Sequence, residues 1–186
     1  MFDYLFTRRL KLKKILVENI PLLVTWSNDR EVYGKYLSME NLKNDECLHK
    51  FENDYFWNNN SKTYLIELKE DNTSIGTIQY WTKSDDPNTA MVSLKLAVMS
   101  FRGQGYGTEA QKGIIRELFK KYKFEAVEML TDINNIPQQK CLMKLDFDNI
   151  EIKEYLDNGI NRQGYIFRLK KDKYERSGIH IYYYDD

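Results

Sequence analysis

The segment that most constrains this chain runs from Val92 to Tyr122: an alternating strand, a glycine-rich turn and an amphipathic helix in immediate succession. Val92, Leu94, Leu96 and Val98 fall on one face of the strand, and Ser93, Lys95 and Ala97 on the other, because strand side chains alternate with a period of two. Arg102-Gly103-Gln104-Gly105-Tyr106-Gly107 follows. Three glycines at alternate positions remove Cβ atoms and open backbone angles that other residues avoid, so successive N–H groups can turn toward one point. Behind them Ala110, Ile114, Ile115, Leu118, Phe119 and Tyr122 form one apolar stripe. Glu109, Lys112, Arg116, Glu117 and Lys120 are expected to point outward. The first helical turn adds unpaired N–H groups and the positive end of a dipole. The whole unit is an anion cradle suited to phosphate.

Two nucleotide readings fit that loop poorly. A Walker loop needs Gly-Lys-Ser/Thr at the helix start, and here Gly107 precedes Thr108-Glu109. A dinucleotide fingerprint needs G-x-G-x-x-G, and this loop is G-x-G-x-G. A turn with no ligand is the plain alternative.

Composition narrows the classes further. Lys plus Arg and Asp plus Glu number 28 each, so the formal net charge is zero. A dedicated nucleic-acid binder needs excess positive charge, and that class is not expected. Hydrophobic residues at 42% and an aromatic share of 14% supply ample material for a core. The length, 186 residues, suits one domain spanning 1–186. Cys47 and Cys141, with His49 and His180, do not make a zinc set, so no metal is expected. Arg8, Arg9, Lys11, Lys13 and Lys14 interrupt any apolar leader, and no stretch is apolar enough to span a bilayer. Two reduced thiols and no membrane segment point to the cytoplasm.

The remaining elements read as follows. Phe6 to Leu16 is a first strand, and Glu18 opens a helix with Pro21 in its first turn. Asp29 to Leu37 is a second short helix. Asp45 caps a third through Leu48, Phe51, Tyr55 and Phe56. Thr63–Lys69 and Ile75–Trp81 form a hairpin about Asp71-Asn72-Thr73-Ser74, and Ser84 to Asn88 is a second turn. Ala126–Asp132 is a strand, Pro137–Leu145 a short helix, and Ile150–Tyr155 with Tyr165–Leu169 a last hairpin about Asp157-Asn158-Gly159. The tail from Ile179 to Asp186 is aromatic, then acidic.

Arg102-x-x-Gly105-x-Gly107 resembles the acetyl-CoA pyrophosphate loop of the GNAT superfamily, usually written Q/R-x-x-G-x-G/A. Asn135-Ile136-Pro137-Gln138 through Lys144-Leu145-Asp146-Phe147 resembles that family's later N-x-x-S and K-x-G-F elements. The opening Thr7-Arg8-Arg9-Leu10-Lys11-Leu12 resembles the T-x-R-L-x-L start of its RimJ/RimL-like, ribosomal-protein-alanine acetyltransferase branch. The matches keep their order over a core of about residues 6–172.

The resemblance implies an α/β (α+β) fold: a mixed, twisted, mainly antiparallel sheet with helices on both faces and two central strands splayed apart. It implies acetyl-CoA as cosubstrate, with pantetheine along Leu96, Ala97 and Val98. Pyrophosphate would lie on Arg102, Gly103, Gln104, Gly105, Tyr106, Gly107 and Thr108, and Asn135 and Lys144 near the cofactor arm. Arg102 either contacts the anion or holds the loop in shape. The implied reaction is acetyl transfer to a primary amine, a protein N-terminus or a small amine, by direct attack in a ternary complex. Pairs of domains joined through the late strands are common in the family, so a homodimer is one expected state.

Several family positions are altered. Val92 stands where a Glu is common, Gln138 where Ser is, Leu142 where a Tyr acid is, and Asp146 where Gly is. An acyl-CoA-binding module that has lost catalysis is therefore the alternative. Among groups able to move a proton, Asp132 at a strand end leads, followed by Glu67 and Tyr80, with the thioester oxygen expected near the Val98 N–H. Each has a plain rival reading: a turn cap for Asp132, a solvent-facing strand residue for Glu67, packing for Tyr80. Trp26, Tyr33 and Trp57, with Tyr36 and Phe56, are the candidate acceptor lining, set between the N-terminal helices and the late hairpin. Core packing is their rival reading. Asp29 and Glu31 nearby would suit a cationic amine.

Overall fold

The computed structural model describes residues 4–178; the aromatic-acidic tail and His180 lie outside the described residues. An eight-stranded sheet carries the fold, in the order β1 (Tyr4–Phe6), β2 (Leu10–Lys14), β3 (Ser61–Leu68), β4 (Ser74–Lys83), β5 (Asp86–Leu96), β6 (Ala126–Asp132), β8 (Ile160–Lys170), β7 (Asp148–Asp157). Every pairing is antiparallel except β5 with β6. The first expected strand is two: Thr7 Oγ1 accepts from Leu10 N at 3.0 Å and closes a turn between β1 and β2. β5 begins at Asp86, earlier than the expected turn allows. The last hairpin turns on Asn158 and Gly159, both at positive φ (47° and 82°), the pattern of a type I′ turn.

Helices cover both faces. The long helix α4 (Tyr106–Lys120) lies on the face of Leu10, Leu12, Tyr80, Ala90 and Val92, and buries Ala110, Ile114, Ile115, Leu118 and Phe119 there. α5 (Ile136–Lys144) and α6 (Lys171–Arg176) join this core through Leu142, Leu145 and Tyr174, and α6 was not expected from sequence. On the opposite face α1 (Ile20–Ser27) contacts both α2 (Arg30–Tyr33) and α3 (Asn44–Glu52). Val32 and Tyr33 of α2 pack on Ala97. α3 starts one turn-cap earlier than Asp45: Glu46 Oε2 accepts from Lys43 N at 2.9 Å, and the helix stops at Glu52, short of Tyr55 and Phe56.

The splay has a visible cause. β5 pairs with β6 only from Thr89↔Ala126 to Met91↔Glu128. Beyond that point β5 stays with β4 as far as Gly76↔Leu96, while β6 stays with β8 as far as Asp132↔Gly164. Each strand follows its antiparallel partner, and a gap opens between the two. Among the described residues no helix is long and apolar enough to cross a membrane.

Candidate active site

The glycine-rich turn lies between the end of β5 and the start of α4. Gly103 and Gly105 sit at φ +76° and +83°, and Gly105 is the left-handed residue that starts α4. A β-carbon there would be strained. Gly107 is small for another reason. A Cβ on it would meet Leu94 Cδ2 at 3.1 Å and Leu96 Cδ1 at 3.4 Å, so glycine sets how closely α4 approaches β5. The positive-φ turn runs directly into the N-terminus of α4, an arrangement of the kind that binds phosphate groups.

Arg102 makes contacts that hold the loop in shape. Nε donates to Leu96 O at 2.9 Å, and Nη2 to Glu31 O at 2.7 Å and Val32 O at 3.1 Å. The guanidinium therefore fastens the end of β5 to α2 and shapes the loop. Ala97 N donates to Ile75 O at 2.9 Å, so the trans peptide turns Leu96 O away from β4 toward the gap. The Val98 N–H, expected near the thioester oxygen, shares the same Ile75 carbonyl at 3.3 Å.

Glu109 corrects the outward-facing expectation. Its Oε1 accepts from Thr7 Oγ1 and from Arg9 N, both at 2.6 Å, and its Oε2 pairs with Arg9 Nε at 2.7 Å. Arg9 also donates Nη1 to Gln104 O at 3.1 Å and lies 4.1 Å from the centre of the Tyr106 ring. The β1–β2 turn thus clamps the first turn of α4. Burial raises the Glu109 carboxyl, but the bonds from Thr7 and Arg9 outweigh it and hold the carboxyl below its ordinary value. An acid at a helix start is a common stabilising choice, but nothing local names Thr7 and Arg9 as its partners.

α5 supports the loop from beneath. Thr108 Oγ1 lies 3.1 Å from Cys141 Sγ, and Gln138 Nε2 donates to Gln111 Oε1 at 2.9 Å. Asn135 Oδ1 caps α5 by accepting from Gln138 N at 3.3 Å. Lys144 is exposed in the last turn of α5. Leu142 is fully buried, so no side chain reaches the gap from that position.

Two of the three proton-transfer candidates lie elsewhere. Glu67 is held between Lys11 Nζ at 2.9 Å and Lys13 Nζ at 2.6 Å, two strands away from β5. Tyr80 is 2% exposed on the α4 face, packed against Tyr122 and Phe124. Burial and a hydrogen bond with Tyr122 push its phenol far up. Asp132 alone stands at the splayed end of β6. Its Oδ1 accepts from Asn134 N at 2.8 Å, and its Oδ2 lies 3.8 Å from Arg162 Nη1.

On the face opposite α4 a pocket of about 230 Å³ opens beside β5. Thr77 and Gln79 of β4 and Ser93 and Lys95 of β5 form its floor. Tyr33, Ser38 and Glu40 form one wall, and Asp157 and Asn158 at the hairpin tip form the other. Ser38 N donates to Asp157 Oδ2 at 2.8 Å and ties the walls together. Of the expected lining, Tyr33 is present. Trp26 packs behind it against the Val32–Ala97 cluster, and Trp57 stacks edge-on to Tyr64 in the other core. The acidic groups are Glu40 and Asp157. Asp29 instead caps α2 by accepting from Glu31 N at 2.8 Å. A charged Lys95 on an open strand face was the sequence's one hint of this pocket.

Comparisons with known proteins bear on the fold and the family. No curated protein matches the sequence. Among solved structures, the chain is similar to the ribosomal L7/L12 alpha-N-protein acetyltransferase RimL in complex with coenzyme A (TM-score 0.79, 13% identity, 92% of this chain and 99% of that one). It is also similar to a spermidine N-acetyltransferase chimera from Vibrio cholerae and hSSAT (0.77, 13%, 91% and 99%). A third is AAC(6')-Ib in complex with paromomycin and acetyl-CoA (0.77, 14%, 91% and 98%). At such identities the likeness shows the fold alone. The family profile described as an acetyltransferase (GNAT) domain matches residues 9–148. That match spans most of the chain, including the turn, α4 and α5, and on it the chain belongs to the GNAT family of N-acetyltransferases.

Proposed function

We propose that this enzyme moves the acetyl group of acetyl-CoA to a primary amine by direct attack in a ternary complex, in the cytoplasm and within the RimJ/RimL-like branch. The observation that carries the reading is the gap between β5 and β6, with an anion-binding turn at one end and a polar pocket beside it on the opposite face. The backbone from Arg102 to Gly107, with Thr108, holds the pyrophosphate. Leu96 to Val98 lie along the pantetheine arm, with the Leu96 carbonyl held by Arg102 and the Ala97 and Val98 N–H groups by Ile75, and Asn135 and Lys144 flank the arm. Acetyl-CoA supplies an acyl group already activated as a thioester.

The protein's own task is to orient the amine and remove its proton. Asp132 takes that proton, because it is the candidate carboxylate at the gap and lies on the pocket side of β6, opposite the buried Val127 and Met129. A second reading, a binding module without catalysis, is favoured by one observation: Val92 and Leu142 sit in the core, so two customary acid/base positions are apolar and buried. Turnover of any amine rejects it.

Thermal unfolding with and without acetyl-CoA, with ATP as control, tests the cofactor. A ligand at a hundred times its Kd stabilises the native state by about 2.7 kcal/mol, a shift of roughly 5–11 °C for this size. Acetyl-CoA alone is expected to give the shift. Gly105→Val, which forces a β-branched residue to positive φ, is expected to abolish it. A shift that survives in Gly105→Val removes the loop from the argument, and no shift in the unsubstituted enzyme removes the function.

A further inference from the structure

The pocket wall contains an arrangement that acetyl transfer does not require. Lys95 Nζ lies 3.9 Å from the centre of the Tyr33 ring and 3.2 Å from Glu40 Oε1. The Tyr33 hydroxyl donates to the same Oε1 at 2.9 Å. Ring and carboxylate are thereby locked into one unit. An aromatic face attracts a cation through its quadrupole, and a carboxylate at this distance adds a charge-assisted hydrogen bond. Together they form a receptor for one ammonium group, which here is the chain's own.

The surrounding charges are few. Lys50 Nζ is 4.0 Å from Glu40 Oε2, and on the far wall Asp157 Oδ2 is taken by Arg162 Nε at 2.7 Å and by Ser38 N. Burial lowers the Lys95 ammonium more than Glu40 raises it. Burial would raise the Glu40 carboxyl, but Lys95 and the Tyr33 hydroxyl outweigh it and hold the carboxyl below its ordinary value. The carboxylate is thus a fixed charge, and Lys95, on a flexible four-carbon stem, is the replaceable partner.

The ring face and the Glu40 carboxylate recognise the charged form of an amine, and a protonated amine has no lone pair with which to attack a thioester. The cage therefore reads a nitrogen that does not react. We propose that Tyr33 and Glu40 bind a second, non-reacting ammonium of the acceptor, which displaces Lys95, so that the acceptor class is a short diamine or polyamine. At about 230 Å³ the pocket is below the roughly 300–1,000 Å³ usual for larger ligands, in keeping with a narrow aliphatic chain. The inference rests on the acetyl-transfer reading for which nitrogen reacts, and its test can be read without turnover.

The test is calorimetric titration of the full chain with 1,4-diaminobutane, and with butylamine as the single-cation control. The diamine is expected to bind at least tenfold tighter. Glu40→Gln should weaken diamine binding about tenfold, the scale of one charge-assisted bond. Lys95→Met empties the cage and should strengthen it about tenfold. Lys50→Met removes a charge near Glu40 but leaves the Tyr33 ring untouched, and should change affinity by less than threefold. Equal binding of the two amines, weaker binding by Lys95→Met, or equal gains from Lys50→Met and Lys95→Met would overturn the cage. Intact diamine binding with no acetylation of any amine would sink the transfer reading instead.

Discussion

The two faces of the β4–β5 ribbon are built by different means. Toward α4, Ile78, Tyr80, Val92 and Leu94 meet a helix that follows β5 after the segment 97–105, which includes a 3-10 turn at Met99–Phe101. That face excludes water and stabilises the fold through buried apolar area. Toward the pocket, Thr77, Gln79, Ser93 and Lys95 keep polar groups open beside Tyr33, Glu40 and Asp157, which come from distant parts of the chain. Open polar groups on a sheet face contribute little to stability. The face under α4 is thus local in sequence and stabilising, and the pocket face is assembled from remote pieces of the chain.

If that division is right, changes on the two faces should fail in different ways. The largest effect is expected for Asp132→Asn. Asparagine can still accept from Asn134 N, so the turn survives, but the proposed proton acceptor is lost. kcat should fall about a hundredfold, with the KM for acetyl-CoA within twofold. A fall below threefold would take Asp132 out of the chemistry and leave it a turn residue.

On the other face, Glu109→Gln should change stability more than chemistry. Gln keeps an oxygen for Thr7 and Arg9 but loses the charge that pairs with the Arg9 guanidinium. Arg9 is 40% exposed, so solvent screens part of the pair, and about 1–2 kcal/mol is expected, or roughly 2–8 °C in Tm. The folded carboxyl is held below its ordinary value of 4.5, so its contribution is present above that pH. It is lost as pH falls through the lower folded value. Denaturant titrations from pH 7 to pH 3 should therefore show the variant losing less stability on acidification than the parent. Parallel curves would show that the clamp does not depend on charge.

What could be read from sequence divides along the same line. The strand, turn and helix from Val92 to Lys120 were legible because each position's role is set by its neighbours: alternation for β5, left-handed glycines for the turn, 3.6-residue spacing for α4. Ala126–Asp132 was legible for the same reason, and its end at Asp132 marks the gap. Glu109 was not, because its partners Thr7 and Arg9 lie about a hundred residues away, and in a helical pattern a charged residue reads as solvated. Glu40 was missed because its loop has no period and its meaning comes from Lys95, 55 positions on. Trp26 and Trp57 misled because aromatic residues serve core and pocket equally well, and only the fold decides which surface each one meets.

The smallest effect should come from a position on neither face. Asp146 follows α5 at φ +67°, where its N–H bonds to Met143 O at 3.1 Å and ends the helix. Glycine is the usual residue at such a left-handed cap, which gives a conformational reason for the family's preference here. Asp tolerates the angle better than most residues, and its carboxylate also pairs with Lys173 at 3.2 Å. Asp146→Gly relieves the strain, forfeits a half-exposed ion pair and adds freedom to the unfolded chain. The balance should be a gain of roughly 0.5 kcal/mol, or 1–2 °C. Acetyl-CoA-linked stabilisation should be unchanged, because the cap touches neither the Arg102–Gly107 turn nor the pocket. A change in that stabilisation would show that the end of α5 reports on the cofactor through Cys141 and Thr108, and would join two regions that are otherwise separate.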